Sequence, residues 1–227
     1  EVDHYPDAER SFAEREPRCV YSSSADRGLD VLLRIWPQVR ERVPEATLHV
    51  YYGWDVFDKV ADVTPGLAQY KALVFGLAAE AGGEEGGIYF HGRVGQSELP
   101  AEVMGSRVWA YPTAFLETSC IGAMEARAAG LALVTSDLGA LRESAGTHGL
   151  LLPWSETEDD RHNETPEYQA AFVAHVCELL TDETFWNGWH RRARSGVEKL
   201  DWSYRRADWE SLVPARVRAR KRQPVLR

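Results

Sequence analysis

Cysteine is scarce in this chain: Cys19, Cys120 and Cys177 are the only three among 227 residues, an odd number with no close spacing. That excludes a disulfide framework and a cysteine-based zinc site, and it fits a reducing, cytoplasmic setting. Basic residues are also in the minority. Lys and Arg number 26 against 35 Asp and Glu, a formal charge of −9, so broad nucleic-acid binding is excluded and any anionic ligand must be met by local groups. No apolar run approaches the roughly 18 residues that cross a bilayer, and no charged-then-apolar start resembles a signal peptide. The chain begins at Glu1 rather than Met, which reads as a piece of a longer protein. No Gly-x-Gly-x-x-Gly follows a strand pattern, and the run Gly82-Gly83-Glu84-Glu85-Gly86-Gly87 comes after a helical one. No Gly-x4-Gly-Lys-Ser/Thr occurs either, so neither a dinucleotide oxidoreductase nor P-loop ATP hydrolysis has support.

What is present is 44% hydrophobic residues, enough for a sizeable core, in short β-branched or aromatic runs that alternate with longer amphipathic segments. The runs Arg18 to Ser22, Thr47 to Tyr52, Ile88 to His91, Val108 to Tyr111, Ala132 to Thr135 and Gly149 to Leu151 read as strands. Helical patterns cover Gly28 to Val43, Leu67 to Ala81, Ser97 to Met104, Ser119 to Ala129 and Ala140 to Ser144. In the first of these Leu29, Leu32, Leu33, Trp36, Val39 and Val43 recur at steps of three and four, and Pro37 is expected to kink or divide the helix. Alternation of this kind implies an α/β fold: a doubly wound, mostly parallel, Rossmann-like sheet with ligands at the carboxyl ends of its strands.

After Pro153 the character changes. Ser155 to Glu167 reads as an acidic, solvated loop without the periodicity of a metal site. Pro166 to Leu180, Asp182 to Leu200 and Ser203 to Val213 read as three extra C-terminal helices, rich in Trp and Phe, that pack on the sheet. From Pro214 onward come Arg216, Arg218, Arg220, Lys221, Arg222 and Arg227, a solvated basic tail or linker. Contact with an anionic membrane surface or a partner, peripheral at the membrane, is the second reading of that tail.

The segment Phe115-Leu116-Glu117-Thr118-Ser119-Cys120-Ile121-Gly122-Ala123-Met124-Glu125-Ala126 carries the chemistry, with two glutamates eight positions apart after a strand pattern. With a helix start near Ser119, Glu117 lies in the loop at its positive end and Glu125 nearly two turns in, so both can face one ligand. Polyol hydroxyls call for carboxylate acceptors, a diphosphate calls for the unpaired N–H groups of a helix start, and the segment offers both, as a nucleotide sugar requires. Taken alone, the pair reads more readily as two solvated acids at a helix end, because Glu is common on helices.

The surrounding sequence decides between these. Glu117 to Glu125 has the E-x7-E spacing of glycosyltransferase family 4, followed by Ala126, Ala128, Ala129 and Gly130 and the strand Ala132 to Thr135. Ser136-Asp137-Leu138-Gly139-Ala140-Leu141-Arg142-Glu143 is similar to that family's loop of small residues ending in Glu, and Arg27-Gly28-Leu29 to its basic-Gly helix start. Phe90-His91-Gly92-Arg93-Val94 resembles the segment that flanks the base, and Asp201-Trp202-Ser203 with Trp209 the closing helix. Five pieces in one order identify residues 1–213 as similar to the C-terminal, nucleotide-sugar-binding half of GT-B glycosyltransferases, with 187–213 as closing helices and 214–227 as tail or linker.

By that resemblance Glu125 accepts hydrogen bonds from ribose, Glu117 orients the transferred sugar, and the backbone amides of Ser119, Cys120 and Ile121 hold the diphosphate. Arg27 is the cation for the leaving diphosphate; a surface Arg at a helix start is otherwise disfavoured by the dipole. Arg93 stacks on the base and the backbone up to Val94 reads its edge. Tyr111, Pro112 and Thr113 shape the pocket, Cys120 is a small packing residue, and His49 and His91 are strand-borne and structural.

Two positions depart from the family pattern. Tyr21 and Ser22 stand where it has Gly-Arg, which leaves Ser22 as a neutral phosphate donor of roughly half the strength of a charged one. Ser119-Cys120-Ile121 replaces the common Phe-Gly-Leu. No Asp-x-Asp motif occurs, so neither metal nor cofactor is expected. The resemblance implies a retaining hexosyltransferase of polysaccharide biosynthesis that moves sugar from a nucleotide diphosphate sugar to a glycan or other hydroxyl acceptor. Its N-terminal acceptor-binding domain is missing here, so the chain alone is expected to bind the donor and transfer poorly. The alternative is a non-catalytic GT-B-like interaction module with a vestigial site, favoured by Ser22 and the basic tail.

Overall fold

The computed structural model of the chain describes residues 4–61, 64, 66–95, 97–154 and 161–212. Every strand expected from the sequence forms: β1 (Glu16–Tyr21), β2 (Thr47–Val50), β3 (Ile88–Phe90), β4 (Ser106–Tyr111), β5 (Ala132–Ser136) and β6 (Leu150–Leu152). They pair in the order β3-β2-β1-β4-β5-β6, each pair parallel. Strands covered on both faces need apolar side chains in both directions, and Cys19, Val20 and Tyr21 of β1 and Val108 to Tyr111 of β4 are all buried. Strand order reverses between β1 and β4, which places a crevice at their carboxyl ends. The fold is thus a Rossmann-like, doubly wound α/β sheet.

The connections are α1 (Leu29–Arg42), α2 (Asp55–Ala61), α3 (Leu67–Glu80), α4 (Leu99–Met104), α5 (Ile121–Ala128) and α6 (Leu141–Ser144), followed by α7 (Pro166–Thr181), α8 (Glu183–Arg194) and α9 (Trp202–Leu212). Of the two outcomes expected at Pro37, division does not occur: α1 runs unbroken from Leu29 to Arg42. Pro37 itself is exposed, and Leu29, Leu32, Leu33, Trp36 and Val39 hold the other face of the helix in the core. Trp36 also donates its indole N–H to the Gly86 carbonyl at 2.8 Å. The segment expected as one helix from Asp182 to Leu200 breaks at Gly196, whose φ of +70° ends α8 before a short 3₁₀ turn at Val197–Leu200. Helix α2 was not anticipated.

Helices α7 and α8 pack on the sheet as expected, but α9 does not. It follows the 3₁₀ turn and leaves Trp202, Tyr204, Trp209 and Leu212 more than half exposed. Two buried guanidiniums tie the layers together through carbonyls rather than acids. Arg15 donates to Ala8, Arg10, Ser106 and Ala129, and Arg127 to Ser144, Ala193 and Ser195. Of the acidic stretch, residues 155–160 lie outside the described residues, and His162–Glu164 form a 3₁₀ turn whose Asn163 is buried. The basic tail from Pro214 also lies outside the described residues.

Candidate active site

The β1–α1 turn and the end of β4 meet because Gly28 has no side chain. Its φ is +100°, and a Cβ there would lie 2.2 Å from the Pro112 carbonyl oxygen. This contact sets Arg27 opposite Glu117, whose carboxylate Oε1 accepts from Arg27 Nη1 at 3.0 Å and from the Tyr111 hydroxyl at 2.7 Å. Ser23 Oγ donates in turn to the Tyr111 oxygen at 3.2 Å. The Arg27 guanidinium also lies over the Phe115 ring, 4.0 Å from its centroid. Glu117 is only 7% exposed, so two partners offset the cost of burying its charge.

The loop of small residues after β5 fixes Glu117 from the other side. Ala140 N–H donates to the Glu117 carbonyl at 2.9 Å, and Gly139, at φ +53°, would place a Cβ 2.9 Å from that same oxygen. Burial alone would lower the Arg27 pKa, but the Glu117 carboxylate and the Tyr111 oxygen together more than offset it and the net shift is upward. Tyr111 is shifted upward, mostly by burial, so its hydroxyl stays a donor. Beside this cluster runs an open groove of about 510 Å³, lined by Asp26, Asp30, Arg34, Tyr70 and Phe115, among others. The Arg27–Phe115 contact therefore borders space of sugar-ligand size.

Glu125 points elsewhere than its partner. It lines a small cavity with Ser22, Trp109, Val20, Leu99 and Tyr5, and burial raises its carboxyl pKa. β4 runs between the two glutamates: Tyr111, which holds Glu117, packs at a tilt on Trp109 with ring centroids 4.9 Å apart, and Trp109 donates Nε1–H to Ser22 Oγ at 3.1 Å and lines the Glu125 cavity. Ser22 thus keeps its own hydroxyl proton for an acceptor. Gly122 of α5 lets the helix approach Ser22, since a Cβ there would already be 3.3 Å from the Ser22 carbonyl oxygen.

The expected diphosphate cradle needs correction at Cys120. Helix α5 begins at Ile121, not Ser119, and the Cys120 amide donates to Ser144 Oγ at 3.3 Å inside the protein. Buried, that thiol is pushed up to about 11, against the pull of the Gly122 and Ala123 amides that face its sulfur. Ser119 and Ile121 remain exposed beside it. Arg93 and Val94 lie on the loop after β3. Arg93 is exposed, and its Cβ is packed so closely on Gly53 that a Cβ on the glycine would stand 2.5 Å away. Val94 is half-buried against the core. The structure therefore joins Arg27 with Glu117 and Ser22 with Glu125, and puts Arg93 and Val94 on a separate loop at the same edge of the sheet.

His49 and His91 pair with each other, Nδ1 to Nε2 at 2.8 Å, with Tyr51 stacked on His91. Sequence reading under-weighted Tyr111 and missed Phe115. The available signal was an aromatic residue with a polar handle ending a buried strand, six positions before a glutamate. Among the described residues no helix is long and apolar enough to cross a membrane.

Comparison with known proteins gives the family and the fold. The family model described as "Glycosyl transferases group 1" matches residues 16–182. No curated protein matches by sequence. Among solved structures, sucrose-phosphate synthase from Thermosynechococcus elongatus superposes with a TM-score of 0.65 at 19% identity, over 93% of this chain and 48% of that one. A UDP-forming trehalose-phosphate synthase from Burkholderia xenovorans gives 0.68 at 12% identity, over 92% and 49%. The pneumococcal O-GlcNAc transferase GtfA, in complex with UDP and GlcNAc, gives 0.58 at 18% identity, over 89% and 37%. This chain thus spans less than half the length of each. At such identities the likeness is one of fold, and the fold is that of GT-B enzymes. Matched by the family model over most of its length, the chain belongs to the glycosyl transferases of group 1.

Proposed function

We propose that residues 1–213 form the nucleotide-sugar-binding half of a retaining glycosyltransferase, cytoplasmic and completed by an acceptor-binding domain not contained in this chain. The observation that carries this reading is the Arg27–Glu117–Tyr111 cluster at the carboxyl end of β4, where a doubly wound sheet collects ligands. Arg27 has five N–H donors, and an arriving diphosphate competes with Glu117 for them. Tyr111 keeps Glu117 in place during that exchange, which frees carboxylate lone pairs for sugar hydroxyls. Ser22 donates to a phosphate oxygen, the first-turn amides of α5 add to the anion site, and Glu125 accepts from the ribose hydroxyls. Arg93 and the backbone of Val94 flank the base.

In the retaining reaction the acceptor hydroxyl attacks the anomeric carbon on the face from which the diphosphate leaves. The bond from that carbon to the phosphate oxygen breaks, the new glycosidic bond forms, and the hydroxyl proton passes to the departing phosphate oxygen. Arg27 neutralises the charge that develops there. Water exclusion needs the second half of the cleft, so the chain alone binds donor and transfers hexose poorly.

Titration of UDP, GDP and ADP by calorimetry tests this. One nucleotide is expected to bind, and Glu125→Ala to weaken it roughly 10- to 150-fold, as a lost charged hydrogen bond implies. Absence of binding at millimolar concentration would instead favour an interaction module with a vestigial site. Specific observations support that second reading: Ser22 replaces a cation, and the Cys120 amide is spent on Ser144.

A further inference from the structure

The N-terminal segment is strapped across the carboxyl end of α5 by hydrogen bonds and an ion pair. Arg15, 1% exposed, donates to the carbonyls of Ala8, Arg10 and Ala129. Gly130, at φ +73°, lets the strap lie so close that a Cβ would stand 2.5 Å from the Ala8 oxygen. Arg194 of α8 pairs with Glu9 at 3.0 Å, and Ser11 and Glu14 close a capping box over the 3₁₀ turn at Phe12–Glu14. The strap also delivers Tyr5, 7% exposed, whose side chain lines the cavity that Glu125 shares with Ser22, Leu99, Val103 and Trp109.

We propose that Tyr5 is a positioning residue for Glu125, its ring forming the wall that holds the carboxylate in one orientation for the ribose hydroxyls. The space left in that cavity is about 10 Å³, the lower limit for one water. With Tyr5 in place, the inner side of Glu125 has room for one water at most, and its acceptor oxygens are kept for the outer side. Without the ring, water enters and the carboxylate gains competing partners and rotamers. Burial dominates the upward pKa shifts of both groups, and the Glu125 carboxylate raises Tyr5 further, as two neighbours sharing a dry wall should. The inference rests on the donor-site reading and adds to it a residue far from the E-x7-E segment in sequence.

The test is a double-mutant cycle read by calorimetry on the full chain, with the tightest of UDP, GDP and ADP as one probe and inorganic pyrophosphate as the other. Tyr5→Ala is expected to weaken nucleotide binding about tenfold, and Tyr5→Phe, which keeps the wall, less than about twofold. In the Glu125→Ala background Tyr5→Ala should add less than about twofold, because the partner through which it acts is gone. Pyrophosphate, which has no ribose, should bind both forms alike. If Tyr5→Ala loses its cooperative melting transition, Tyr5→Leu takes its place, with an expected loss of about threefold. No nucleotide binding by the wild-type chain refutes the donor-site reading itself. Binding that Glu125→Ala weakens and Tyr5→Ala spares refutes the positioning role alone, as does an equal loss for pyrophosphate or full additivity in the cycle.

Discussion

Tyr111→Phe removes one oxygen from a fully buried ring and leaves its shape unchanged, so its effect isolates the bond to Glu117. That bond is 2.7 Å long and charge-assisted, a class worth about 1.5–3 kcal/mol, while the 3.2 Å contact from Ser23 is neutral and adds about 0.5 kcal/mol. Arg27 remains on Glu117 in the variant, but its side chain is 33% exposed and solvent screens it, so it compensates little. The net expectation is a loss of about 2 kcal/mol, or a melting temperature lower by about 4–8 °C for a domain of this size. Urea unfolding of wild type, Tyr111→Phe, Glu117→Gln and the double variant measures it. In the Glu117→Gln background the same substitution should cost less than about 1 kcal/mol, since the acceptor is no longer ionised. Equal costs in both backgrounds would refute the claim that the hydroxyl–carboxylate bond holds the site together.

Gly28→Ala should destabilise by more than about 2 kcal/mol, because it combines a left-handed backbone with a Cβ driven into the Pro112 carbonyl; thermal melting within 1 kcal/mol of wild type by the size relation above would contradict the close approach. Pro37→Ala should stabilise by about 1–3 kcal/mol, since the exposed position in α1 regains a backbone donor; an unchanged urea midpoint would mean that the helix already accommodates the ring without loss. His49 is held down to about 3, chiefly by burial and then by Arg18 and His91, against an ordinary value of 6.5. An unfolded His49 therefore takes up a proton that the folded one refuses, and this contribution to stability is lost as pH falls from 6.5 toward 3. Urea midpoints at pH 7, 6 and 5 should fall less steeply for His49→Gln than for wild type, and parallel curves would exclude His49 as the cause.

The sheet was legible in the sequence because each strand of a parallel sheet is buried on both faces and reads as a compact apolar run, as Val108 to Tyr111 does. Element ends were less so, because they depend on distant partners. Ser144 takes the Cys120 amide across 24 residues, and Cys120 is an extended cap with α5 starting at Ile121, neither of which a local signal announces. Pro37 misled in the same way: its rule is local, and the packing of Leu33, Trp36 and Val39 overrides it. The spacing of Glu117 and Glu125 was visible, but not that one faces Arg27 and the other Tyr5, because loop geometry between a strand and a helix has no period to read. Nor does an apolar pattern say what covers it, and α9, as rich in Trp and Tyr as α8 is in Trp and Phe, lies off the sheet.

Hydrogen–deuterium exchange of the full chain, with and without a saturating nucleoside diphosphate, tests the central claim most directly. The account predicts slowed amide exchange confined to residues 22–28 and 117–125, with the loop carrying Arg93 and Val94 following when the base is engaged. Protection that falls elsewhere, or none at saturation, would contradict a donor site built on Arg27, Glu117 and Glu125.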